Sequence, residues 1–262
     1  MALRVCVLAS GSAGNCTYIG SDRAALLIDA GLSGRETARR LGEIGADLSG
    51  VRAVCVSHEH DDHTAGLGVL HRKHGIPVYA NSGTVEGLRG RSNSKAGDIA
   101  WTIFSTGSAF EIAGFVVEPF SVPHDAMDPV GFVVRRGDFS VGVVTDIGIC
   151  TNVVRERLRA CQVIVFEANH DEAMLARAKR PEHLKQRIRG RQGHLSNQAA
   201  AEFIAGIGGP HLRHVYLAHI SEDCNTRSLA QATAERLLHK AGHGHIKVSL
   251  TYADRISDVC AV

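Results

Sequence analysis

Short apolar runs broken by tight polar turns set the rhythm of the first third of the chain. Arg4–Ala9 reads as a buried strand, and the Gly/Ser-rich stretch Ser10 to Asn15 as the turn behind it. Cys16–Gly20 and Ala24–Asp29 continue the strand pattern. Ser33 with Glu36 three residues on predicts a capped helix that ends near Gly42. Val51–Val56 is another apolar strand, and it delivers the chain into Ser57 and His58. A helix over His63–His74 is expected to stop at Gly75, with Pro77 shortly after.

The pattern then changes. Trp101–Phe104, Phe115–Val122, Gly131–Arg136 and Phe139–Thr145 are strand candidates with closely spaced turn signals, as in an antiparallel meander. Beyond residue 150 helices and strands alternate again: Asn152–Ala160 helical, Val163–Glu167 extended, Ser196–Ile207 helical, His214–His219 extended. Ser228–Lys240 is helical and Ile246–Leu250 a last strand. Each half holds several strands plus helices, and no linker rich in Pro, Gly or Ser separates them. Two sheets packed face to face with helices outside suit this order, as one domain over residues 1–262.

Composition adds limits. A hydrophobic fraction of 44% with 21% charged residues excludes a disordered chain and allows a large core. The net charge of +2 does not by itself argue for nucleic acid or an anionic membrane. The apolar run at the N-terminus is too short for a signal-peptide core, and no window is long enough to span a bilayer. Seven cysteines, scattered and never spaced as C-x-x-C, fit buried free thiols in the cytoplasm better than disulfides or a zinc ribbon.

The chemistry is concentrated in Ser57 to Gly66, where His58, His60, Asp62 and His63 form an H-x-H-x-D-H run between a strand and a helix. Imidazole and carboxylate suit borderline cations such as Zn²⁺ and Mn²⁺. His58 and His60 alternate on an extended segment and project to one side, so they can grip one ion. Asp62 and His63, at the turn into the helix, can reach a second. Such a cluster cannot complete two coordination spheres alone. Three further strand ends each carry one ligand-type residue: His124, Asp146 and His219. Singly, each could be a cap or turn residue; in series after the H-x-H-x-D-H run they point to a metal centre.

These residues together resemble the metallo-β-lactamase superfamily, as does the strand-ending Asp29 followed by Ala30 and Gly31. The resemblance implies an αββα sandwich with two divalent ions at one rim of the paired sheets. His58, His60 and His124 would hold the first ion, and Asp62, His63 and His219 the second, with Asp146 bridging. Asp29 would orient a ligand histidine from behind or simply cap a turn. Lactamases often have Cys where this chain has Asp146. That carboxylate favours two metals, an arrangement suited to clamping both oxygens of a phosphodiester displacement and to generating hydroxide as nucleophile.

Three segments carry a closer resemblance, to the YycJ (WalJ) family of bacterial metallo-hydrolases: Ser10 to Cys16, Phe166 to Asp171, and Arg187 to Asn197. It implies a cytoplasmic, zinc- or manganese-dependent 5′ to 3′ exonuclease acting on DNA more than RNA, with no β-CASP insertion. On this reading Asp62, His170 and His194 are catalytic. Ser10, Asn15, Arg189, Arg191, His194 and Ser196 contact substrate. From the residues alone, Ser196 is an N-cap whose helix start could meet a phosphate, or an ordinary cap. His170 could neighbour the metals, protonate the leaving oxygen, or be buried and structural. Seven cations between Arg177 and Arg191, with only Glu182 among acids, could line a nucleic-acid groove or a solvated helix face.

The alternatives are a small-molecule phosphodiester or thioester hydrolase of the same fold, and a non-catalytic metal-binding protein. The sequence leaves the oligomeric state open.

Overall fold

In the computed structural model, which describes residues 3–90 and 98–261, the alternating apolar runs assemble into two seven-stranded sheets. The first contains β1 (Arg4–Ala9), β2 (Cys16–Gly20), β3 (Ala25–Ile28), β4 (Val51–Cys55), β5 (Val78–Ala80) and β6 (Trp101–Ile103) in sequence order. The second runs β13-β12-β11-β10-β9-β8-β7. Its members are β7 (Phe110–Ile112), β8 (Phe115–Ser121), β9 (Val130–Arg136), β10 (Phe139–Val144), β11 (Val163–Glu167), β12 (His214–Ala218) and β13 (Lys247–Leu250). A two-residue strand, β14 (Cys260–Ala261), closes the edge of the first sheet against β1.

Alternation along each strand sorts side chains into layers. Val5 and Val7 face inward, where they join Val117, Phe132, Val141, Val163 and Tyr216 in the core between the sheets. Cys6 and Leu8, one residue out of phase, face the opposite way onto helix residues Leu41, Leu67 and Leu70. On the far sheet Ile164, Phe166, Val215 and Leu217 turn outward beneath Val154, Phe203, Ile204 and Leu238. Both faces of the central strands are thus covered, which is why they read as unbroken apolar runs.

The helices are α1 (Gly34–Glu43), α2 (Asp61–Thr64), α3 (Leu67–His74), α4 (Ser82–Arg89), α5 (Asn152–Leu158), α6 (Glu172–Arg177), α7 (Glu182–Arg189), α8 (Asn197–Ile207) and α9 (Arg227–Lys240). Ser33 caps α1 by accepting from the Glu36 amide, and Gly75 ends α3 in the left-handed conformation, both as the sequence predicts. The expected helix over 63–74 is instead two pieces. Gly66 interrupts it by donating its amide to Ala30 O, and a Cβ there would lie 2.0 Å from Leu32 O. The break lets the chain behind β3 pack against the loop that carries Asp62 and His63. β5, α4, β7, α6, α7 and β14 are absent from the sequence reading: the strands among them are three residues or fewer, too short for alternation to show. The single-domain expectation also spans residues 1–2, 91–97 and 262, which lie outside the described residues.

Candidate metal centre

Seven strand-end and loop side chains meet at one rim of the sandwich. The inner strands of the second sheet are parallel, with Val144 beside Phe166 and Phe166 beside Leu217, so their ends lie side by side. Asp146, Glu167 and His219 project from these adjacent ends. Among the described residues four non-glycine positions have positive φ, and three of them are Asp29 (63°), Asp146 (53°) and His219 (54°). Such a conformation costs on the order of 1–2 kcal/mol per residue. Holding it at three site residues identifies the rim as the place where the fold accepts strain to aim side chains.

His58, His60 and His124 form one group, with Nε2 of His58 3.0 Å from Nδ1 of His60 and Nε2 of His124 3.4 Å from the same atom. Beside it, Nε2 of His63 lies 2.9 Å from Oδ2 of Asp146 without hydrogen-bond geometry, so that buried oxygen has no partner. Nε2 of His219 is likewise buried and unpartnered, 3.7 Å from Oδ2 of Asp62. Asp62 in turn is 3.5 Å from Nε2 of His63. Asp146 Oδ1 lies 3.2 Å from Nδ1 of His219 and 3.7 Å from Nε2 of His124, so one carboxylate borders both groups. Lone-pair atoms converging this closely, some with no donor to satisfy them, fit the sharing of cations.

The surroundings fix ring orientations. Asp29 accepts from the Ser57 amide at 2.7 Å and lies 2.8 Å from Nδ1 of His63, leaving Nε2 toward the cluster. Asn15 donates to Asp62 at 3.0 Å and sits 3.0 Å from Nε2 of His63. Ser10 accepts the backbone amide of His219 at 2.7 Å. Ser10 and Asn15 are buried, and Ser10 also lines a surface pocket with Ser12, Arg180 and Asp223.

Glu167 was given no role by the sequence, yet it is fully buried at the centre of the rim. Its Oε1 lies 2.8 Å from Nδ1 of both His194 and His219, and its Oε2 accepts from the Ile147 and Leu195 amides at 3.0 Å each. Burial acts to raise its pKa, but the two histidines outweigh that and hold it down at about 2. The signal was available: a carboxylate ends the apolar run Val163 to Phe166, the same pattern that singled out Asp146.

Electrostatics splits the histidines. Burial and the neighbouring His63 push His58 well below its usual value. For His219, burial works downward, but Asp146, Asp62 and Glu167 together lift it to about 10. His194 is also raised: Glu167 overcomes the effect of burial.

A cleft of about 310 Å³ opens onto the cluster. His60, Asp62, His124, Asp146, His194 and His219 line it together with Arg180, Leu184, Arg187 and Ile188. His170 does not line it. That residue is 1% exposed behind His194, bridged to Ser196, with Nδ1 unpartnered. Ser196 caps α8 and donates to Glu172 at 2.9 Å. Arg189 lines a neighbouring pocket with His170 and Ser196, His194 standing between it and the cleft, and Arg191 is exposed outside both.

Two helix-flanked sheets with a His/Asp cluster at one rim define a metallo-β-lactamase fold. A solved structure of that fold, the protein YhfI from Bacillus subtilis, matches all of this chain and all of its own at a TM-score of 0.75 and 14% identity. Residues 25–220 match the family described as the Beta-lactamase superfamily domain. Exodeoxyribonuclease YycJ of Bacillus anthracis is 36% identical over 93% of this chain and 92% of its own length. Exodeoxyribonuclease WalJ of Streptococcus pneumoniae is 34% identical over 91% and 89%. The chain belongs to the β-lactamase superfamily and, within it, to the family of YycJ and WalJ.

Proposed function

We propose that the chain is a single-domain, two-metal phosphodiesterase that degrades DNA from a 5′ end, working in the cytoplasm. The observation that carries this reading is the convergence of His58, His60, Asp62, His63, His124, Asp146 and His219, with Asp146 Oδ2 and His219 Nε2 buried and unpartnered. His58, His60 and His124 would hold one divalent cation, and, by the family resemblance, Asp62, His63 and His219 would hold the other with Asp146 shared by both. The names of the YycJ and WalJ relatives support DNA as substrate. Seven free cysteines, five of them buried, support a reducing compartment.

Zinc or manganese would supply Lewis acidity toward the scissile phosphate and toward its entering and leaving oxygens. The protein's own part is orientation and proton transfer. Asp29 and Glu167 take the Nδ1 side of His63 and His219, so their Nε2 atoms face the cluster. Glu167 also takes Nδ1 of His194, which leaves Nε2 of that cleft-lining ring free to give a proton to the leaving oxygen. Asp62 is close enough to His63 and His219 to order the entering oxygen as well as to hold a cation. His170 lies outside the cleft but lines the neighbouring pocket with His194, its Nδ1 unpartnered.

One observation favours a smaller substrate instead. Four of the seven cations between 177 and 191 already face three carboxylates: Arg180 pairs with Asp223, Arg187 with Asp125, and Lys185 and Arg189 share Glu182. The test uses metal-loaded protein with end-labelled duplex DNA, single-stranded DNA and RNA, with and without a 5′ phosphate. Asp62→Ala or Asp146→Ala should abolish digestion of 5′-phosphorylated DNA while the circular dichroism spectrum stays unchanged. Undiminished digestion by either purified variant defeats the assignment. Turnover of a model phosphodiester with polymers left intact selects the small-substrate reading.

A further inference from the structure

The pocket that Ser10 lines has a volume of about 360 Å³ and adjoins the cleft. Ser12, Arg180 and Ser221 line both, so the two hollows are contiguous. One wall of the pocket is the Gly/Ser turn behind β1, and that turn is fixed from within. Gly11 and Gly14 have φ of 129° and 155°, which residues with side chains rarely adopt. The Asn15 side chain accepts from the Gly11 amide at 3.0 Å, and the Gly14 amide donates to Gly11 O at 2.9 Å. The Ser10 amide goes to Tyr252 O and the Asn15 amide to Asp62 O. That leaves the amides of Ser12 and Ala13, both exposed residues, without a partner among the described residues. Successive free N–H groups in a turn make an anion-binding concavity.

Hydroxyls and cations add to these donors. Ser10 is spent, because its Oγ accepts the His219 amide and donates to Asn15. Ser221 is not: its Oγ accepts the Cys224 amide at 3.1 Å and keeps its own proton to give. Arg227 is steadied by Thr251 O at 3.2 Å and by the Tyr252 ring, whose centre lies 5.0 Å from the guanidinium. Arg180 pairs with Asp223, which is itself exposed. Such a pair is worth only about 0–1 kcal/mol, so a phosphate can take the arginine at little cost. Glu222, the other acid of the wall, is exposed, where solvent screens it.

Resting on the nuclease reading, we infer that this pocket seats a backbone phosphate of the DNA strand, next along from the one at the metal centre. Ser12 and Ala13 give it main-chain amides, Ser221 a hydroxyl, and Arg180 and Arg227 their charge. Contacts of this kind position a strand without reading its bases, so any sequence is held in register with Asp146 and His194. The same turn holds the His219 amide through Ser10, so the seated phosphate and a proposed metal ligand share one support.

The experiment uses Ala13→Glu, which sets a carboxylate beside the free amides at an exposed position. Digestion of a labelled DNA single strand by metal-loaded protein should show KM raised at least about tenfold, with kcat altered by less than about threefold. Strands carrying one neutral methylphosphonate linkage, walked from end to end, then serve as competitors. At one position the neutral linkage should weaken competition for the wild type but not for Ala13→Glu, because it deletes the charge that the variant repels. A KM within about twofold of wild type, or the same response of both proteins to every neutral linkage, overturns the inference. If Ala13→Glu does not fold, Arg227→Gln carries the test. The slope of log KM against log salt must then flatten by about 0.7, the share of one phosphate of a single strand, and an unmoved slope has the same consequence. Wild-type protein that digests no strand defeats the nuclease reading and this inference with it. Digestion by a variant at wild-type KM overturns the pocket alone and leaves the nuclease reading standing.

Discussion

Oε1 of Glu167 lies 2.8 Å from Nδ1 of His219, and the same oxygen lies equally close to Nδ1 of His194. One buried carboxylate therefore sets the ring orientation of a proposed metal ligand and of the residue proposed to protonate the leaving group.

Glu167→Gln tests this link. The amide must turn its NH₂ toward either the two histidine N–H groups or the Ile147 and Leu195 amides, placing donor against donor in a buried site. The expected outcome is a 10–100-fold loss of metal affinity, on the order found for groups behind metal ligands, measured by competition with a chelator. Activity at saturating metal should also fall, because His194 loses its anchor. Wild-type affinity and rate in the variant would show that the carboxylate is only a structural filler.

A Cβ on Gly31 would lie 1.7 Å from Asp62 O and 2.6 Å from the Asn15 amide. Those two atoms bond each other at 2.7 Å and hold the Asp62–His63 turn against the β1–β2 loop. Gly31→Ala should cost about 1–3 kcal/mol of stability and lower metal content at a given free-metal concentration. Thermal melting and elemental analysis measure the two effects.

Distant from the rim, His214 is buried against Tyr216 and bonded to Ser249 at 2.9 Å. Burial first, then Lys247, depress its pKa to about 4, against an opposing pull from Asp258. The neutral ring is favoured in the fold, so its full contribution is present above the unfolded value near 6.5. As pH falls toward 4, the unfolded chain takes a proton that the native state refuses. The cost by pH 4 is about 3 kcal/mol. His214→Phe should flatten the fall of the urea midpoint between pH 6.5 and 4.5; an unaltered slope rejects the assignment.

Of the seven cations between 177 and 191, Arg177, Lys179 and Arg191 are exposed and make no ion pair among the described residues. They are the ones free to meet phosphates. Converting all three to Gln should reduce the slope of log binding constant against log salt by about 0.7 for each phosphate of a single strand that is no longer neutralised. A slope that does not move assigns them to an ordinary solvated face.

Much of the candidate site was legible because ligand-type residues at strand ends leave a local mark. His58, His60, Asp62 and His63 lie within six residues, and His124, Asp146 and His219 each follow an apolar run. Glu167 bore the same mark, but a Glu ending a strand is ordinary until its neighbours are known. Ser10 and Asn15, expected against the substrate, also hold the His219 amide and the Asp62 carboxylate, contacts that a turn's composition does not announce. His170 was ambiguous for the same reason: burial behind His194 depends on α8 packing over β11.

By itself, then, the chain determined which strands are buried on both faces, where α1 and α3 are capped, and which residue types gather into a ligand set. Those properties are written in spacing and hydrophobic alternation, both local. Only the tertiary structure decided that Glu167 joins two histidines, that Gly66 and Gly31 bring two loops into contact, and that α7 lines the same cleft as the histidine cluster. Those relationships join residues tens to hundreds of positions apart, and what sets them is strand order and close packing, for which no short stretch of sequence has a signature.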